Sequence, residues 1–131
     1  MSTNKLNVAV IISSGIESGG GYQYEFMVMN LLKKYHNNKD ISLYYFATSK
    51  EISKDYSSLN LNINILKENV FQKLHRLCLP NIFFYKILNK VGLGLSSIEK
   101  QLSSKNIDLA YFLSPNLRSQ GLSNIPYVFT L

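Results

Sequence analysis

Apolar and polar positions follow two rhythms along this chain. Leu6–Ile12 (LNVAVII) is a short, β-branched apolar run, the pattern of a strand buried on both faces in a parallel sheet. Glycine and serine break it over Ser13 to Gly21 (SSGIESGGG). From Tyr22 to Tyr35 the period lengthens: Tyr22, Phe26, Met29 and Leu32 or Lys33 recur every three or four residues, the stripe of an amphipathic helix. Lys33, Lys34 and His36 close it with the charge sign that a helix C-terminus favours. Ile41–Ala47 (ISLYYFA) predicts a second strand, and Ser49 to Tyr56 a short helix with Ser49 as N-cap. Leu61 to Leu66 (LNINIL) alternates apolar and polar, as a half-exposed edge strand does.

Further on, residues 69–78 and 81–91 read as helices separated by Pro80. Another helix is expected from Ser96 or Ser97 to about Ser104, with Glu99 and Gln101 inside it. Asp108 to Leu113 (DLAYFL) predicts a buried strand, and Pro126 to Leu131 (PYVFTL) the last one. Strands that alternate with helices pair in parallel through right-handed crossovers. The expectation is one α/β domain over residues 1–131, a Rossmann-like three-layer sandwich with a mainly parallel sheet of about five strands. A strand at the very end has no following helix to cover it, which reads as a piece cut from a larger protein.

Composition narrows the function classes. An apolar fraction of 46% in 131 residues suits one domain with a real core. The net charge of +6 suits anionic partners such as phosphates or lipid head groups, or is plain lysine surplus on a soluble surface. No arginine-rich run and no RNP-like motif appears, so nucleic acid is not an expected partner. Cys78 is the single cysteine, which excludes an internal disulfide and a cysteine metal cluster and fits a reducing compartment. His36 and His75 lack a second ligand at metal spacing, so no metal is assigned. There is no signal-peptide pattern and no run of roughly 18 apolar residues, so a cytoplasmic location is expected. Residues 71–91 interleave Lys73, Arg76, Lys86 and Lys90 with Leu77, Ile82, Phe83 and Phe84. Such a stripe either packs on the sheet or rests on the inner face of an anionic membrane as a peripheral contact.

The glycine segment carries the candidate chemistry. A helix that starts at the carboxyl end of a first parallel strand offers free N–H groups and a positive dipole end to an anion. Gly19, Gly20 and Gly21 place no Cβ in the way. The dinucleotide pattern G-x-G-x-x-G is absent, and no acidic residue closes the second strand. Gly15 and Gly20 almost spell a P-loop, but Gly21 stands where its lysine belongs. A flexible turn without any ligand is the competing reading. Glu17 and Glu25, which flank the loop, read as structural or solvated.

VAVIISSGIESGGGYQYEFMVMNLL resembles the start of the GT-B glycosyltransferases of family four, the retaining group-1 transferases. Gly20, Gly21, Tyr22, Gln23 and Tyr24 match that family's layout, and IDLAYFLSPN and IPYVFTL resemble its fourth and fifth strands. The resemblance implies the N-terminal, acceptor-side half of a two-domain enzyme, one half of a GT-B fold. It implies donor-diphosphate contacts at Gly19, Gly20 and Gly21, and acceptor contacts at Tyr22 and Gln23. Asn116, which follows the fourth strand at its carboxyl end, reads either as an acceptor contact or as a turn residue, and Arg118 in the same loop as a phosphate or acceptor contact. The donor would be a nucleotide-sugar bound as substrate, with no cofactor, and the acceptor a saccharide or lipid-linked saccharide of polysaccharide biosynthesis. One departure matters. The sequence stops at Leu131, where the family's His-Asp pair would begin, so the resemblance implies that the donor-binding domain lies in a C-terminal half beyond this sequence. No catalytic residue is therefore assigned, and this chain alone is expected to be inactive. The alternative is a stand-alone flavodoxin-like module that binds a phosphate ligand, or regulates, without catalysis.

Overall fold

A computed structural model of the chain describes residues 4–67, 97–115, 122 and 124–130. The helices expected over 69–78 and 81–91, the basic stripe of 71–91 with His75 and Cys78, and the candidates Asn116 and Arg118 lie outside the described residues.

The fold is α/β, with strands β1 (Leu6–Ile12), β2 (Ile41–Ala47), β3 (Ile63–Ile65), β4 (Leu109–Phe112) and β5 (Tyr127–Phe129). Helices α1 (Gly20–Lys33) and α2 (Lys50–Asp55) connect the first three, and α3 (Ser97–Ser104) precedes β4. The sheet order is β3-β2-β1-β4-β5 and every pairing is parallel. This is the Rossmann-like sandwich that the alternation of strands and helices predicts.

β1 is central and its side chains alternate between two cores. Ala9 and Ile11 join Phe46, Ala110, Phe112, Ile98 and Leu102 on one side. Val10 and Ile12 join Met29, Tyr45, Ala47, Tyr56 and Leu59 on the other, where α1 contributes Tyr22 and Phe26. Burial on both faces explains why β1 has no polar position after Asn7. That asparagine belongs to the amino edge, where its N–H donates to Asp108 Oδ2 (2.8 Å) and its side-chain amide to Asn106 O (2.9 Å).

Local chemistry sets the element ends. Ser49 Oγ accepts from Ile52 N at 3.2 Å and caps α2, as expected of an N-cap serine. Asn60 and Asn106 adopt left-handed φ values of 52° and 53° after their helical segments, a conformation asparagine tolerates. In α3, Glu99 is buried and accepts from Asn124 N at 2.6 Å, fastening the helix to the β4–β5 connection. α1 starts at Gly20, two residues before the apolar stripe, and ends at Lys33, so two of the three candidate glycines are helical. No helix among the described residues is long and apolar enough to cross a membrane.

Candidate functional site

The chain leaves the carboxyl end of β1 at Ile12 and reaches α1 through a tight sequence of turns. Gly15 precedes a 3-10 turn over Ile16–Ser18. There the Asp55 carboxylate accepts from Ile16 N at 2.9 Å. A Cβ on Gly15 would lie 2.9 Å from that same oxygen, so a side chain there would push the carboxylate off this contact. Gly19 then takes φ 59°, ψ −111°, open to glycine but strained for L side chains.

Gly19 is also the N-cap of α1, and it has no side chain to satisfy the first turn. The first intrahelical bond runs from Gln23 N to Gly19 O at 3.1 Å. The amides of Gly20, Gly21 and Tyr22 therefore lack an intrahelical acceptor. No described residue accepts from them. Gly19 and Gly20 are exposed, and a Cβ at either would meet nothing within 4 Å. At Gly21 a Cβ would lie 3.2 Å from Ser14 Oγ. Open amides at the positive end of a helix are a chemically competent anion site.

β1 and β4 are neighbours, and α1, which follows β1, and α3, which precedes β4, pack on opposite faces of the sheet, so the crevice between the carboxyl ends of the two strands is the topological switch point. That crevice holds a carboxylate of the chain itself. Glu25 is fully buried. Its Oε2 accepts from Ser13 N (3.1 Å), Ser14 N (3.0 Å) and Tyr56 Oη (3.1 Å). Its Oε1 accepts from the hydroxyls of Ser114 (2.6 Å), Ser14 (3.1 Å) and Ser13 (3.4 Å). A buried carboxylate is tolerable when donors surround it in this way. Burial pushes the pKa of the Tyr56 hydroxyl well above the ordinary tyrosine range, and the Glu25 charge adds to the rise. Tyr56 thus stays a protonated donor, and it also reaches Ser14 O at 2.8 Å. Of the two readings of Glu25, structural or solvated, the geometry selects the structural one.

The side chains expected on the acceptor side divide. Tyr22 is half-buried, donates to Asp55 O at 3.0 Å, and packs its ring 5.2 Å from that of Tyr56. Gln23 is exposed on the first turn of α1. Glu17 is exposed beside the 3-10 turn. Among the described residues, no three His, Cys, Asp or Glu side chains gather to hold a metal ion. The residue that sequence reasoning under-read is Glu25. Its signal was present, since Tyr22, Glu25, Phe26 and Met29 share the buried stripe of α1.

Comparison of the chain with models of known protein families, with curated proteins and with solved structures finds no match.

Proposed function

We propose that this chain is the N-terminal, acceptor-side half of a GT-B-type glycosyltransferase, and that the open start of α1 receives a phosphate oxygen of a nucleotide-sugar. The observation that carries the reading is the set of three amides, Gly20 to Tyr22, without an acceptor at the carboxyl edge of the central strand. Loss of a sugar from a nucleotide diphosphate builds negative charge on the leaving phosphate. Fixed amide dipoles and a helix N-terminus stabilise that charge without a titrating side chain. Glu25 defines where the anion sits. It already takes the amides of Ser13 and Ser14, so a ligand phosphate docks above Gly20 and not inside the β1–β4 crevice. The nucleotide base, the sugar and the chemistry of transfer would depend on a second domain, and the acceptor would approach past exposed Gln23.

The test is amide-resolved NMR of the labelled chain with UDP- and GDP-sugars and with the free nucleotides. Millimolar ligand is expected to shift Gly20, Gly21 and Tyr22, weakly, because on this reading a second domain supplies most of the donor contacts. Unshifted amides at these three positions in the presence of every diphosphate ligand would remove the proposal.

A further inference from the structure

The donors around Glu25 come from places far apart in the chain: Ser13 and Ser14 at the end of β1, Tyr56 after α2, and Ser114 after β4. The amides of Ser13 and Ser14 follow one another and aim at the same oxygen, Oε2. Successive backbone N–H groups turned to one point form an anion-binding concavity. Three serine hydroxyls take the other oxygen, Oε1. Every one of these donors is neutral. The chain carries 14 lysines and arginines, yet among the described residues none pairs with this buried charge. A ring of amides and hydroxyls without a cation is also how proteins hold small oxyanions from solution.

Position gives a second reason. The ring lies at the topological switch point, where open parallel sheets receive their ligands. Ser13, Ser14 and Ser114 are only half-buried, so the donors open toward the carboxyl edge of the sheet. Glu25 enters from the second turn of α1, and its oxygens satisfy donors that would otherwise need a ligand.

We propose that this crevice is a small-oxyanion site, matched to a carboxylate or a phosphate group, and that Glu25 is its resident occupant. Glu25 is then a specificity-determining residue. It keeps the oxyanions of ligands out of the crevice, and its removal opens the site to them. The inference rests on the crevice alone and holds whether or not the amides of Gly20 to Tyr22 receive a nucleotide-sugar.

Glu25→Ala empties the site, and acetate matches the atoms that this substitution removes. The labelled variant is titrated with acetate and with inorganic phosphate, each against chloride at equal ionic strength. Its melting temperature is expected to rise by about 4 °C at saturating anion, beyond any effect on the parent. The Ser13 and Ser14 amide resonances should move in one saturable step toward their parental positions. Which anion acts at lower concentration separates carboxylate from phosphate recognition. In the parent neither anion should move these amides. Glu25→Gln, whose side chain still fills the space, should respond no more than the parent. If the alanine variant is unfolded in chloride, refolding by acetate or phosphate is the expected result. The proposal is overturned if both anions do no more than chloride, if the Ser13 and Ser14 amides stay still, or if the parent or the glutamine variant responds equally.

Discussion

Replacing Glu25 with alanine tests whether the chain depends on its internal carboxylate. The substitution removes the acceptor of two backbone amides, Ser13 and Ser14. A buried donor left without a partner costs about 1–3 kcal/mol. The Tyr56 hydroxyl keeps Ser14 O as a partner, and half-buried Ser114 can turn to water. Relief of the carboxylate's own desolvation offsets part of the loss. The expected net destabilisation is about 3 kcal/mol, a large share of the roughly 5–15 kcal/mol that holds a domain folded. Glu25→Gln keeps the shape and one carbonyl oxygen for both amides. Its NH2 then faces serine hydroxyls that can rotate to accept, and about 1 kcal/mol of loss is expected. Urea denaturation followed by circular dichroism measures both, and for the alanine variant the midpoint should fall by about 1–2 M with an unchanged slope. An alanine variant within about 0.5 kcal/mol of the parent, or a glutamine variant less stable than the alanine one, would refute the assignment of Glu25 as the clamp of the β1–β4 crevice.

Three further outcomes follow from the same geometry. Gly19→Ala forces a side chain into φ 59°, ψ −111° and should cost about 1–2 kcal/mol. Gly20→Ala meets open space and should be neutral or slightly stabilising yet weaken any phosphate binding; equal thermal shifts for the two variants would contradict the assigned backbone. Ser49→Ala deletes the bond to Ile52 N and should cost about 1 kcal/mol in the same urea assay, and no change would deny it the capping role. The alkaline limb follows from Tyr56 and Tyr45, whose folded pKa values are raised mainly by burial. Their contribution is complete below the unfolded tyrosine value near ~10 and is lost as pH rises through the higher folded values. Absorbance at 295 nm should therefore show part of the phenolate signal appearing only with loss of ellipticity; full tyrosine ionisation in a still-folded chain would contradict both burials.

What was readable from the chain was local. LNVAVII announces a strand buried on two faces because a central parallel strand has no solvent side, and β1 proves to be that strand. Ser49 declares its cap, since donor and acceptor lie three residues apart. The glycine run marks a helix start open to solvent, although α1 begins at Gly20 rather than at Tyr22, because glycine's poor helix propensity counts in helix interiors and Gly20 and Gly21 occupy only the first turn.

Tertiary structure alone decided the rest. Whether Glu25 met water or donors depended on Ser114, 89 residues away, and Tyr56, 31 away. No periodicity in the sequence reports such distances. In the same way LNINIL predicts an edge strand, but only the register of β3 against Tyr45 leaves part of β2 unpaired and opens a cavity at the sheet edge. Hydrophobic spacing and caps act over a few residues and are written in the chain. The burial of a charge or a hydroxyl is settled by which distant donors the fold brings to it.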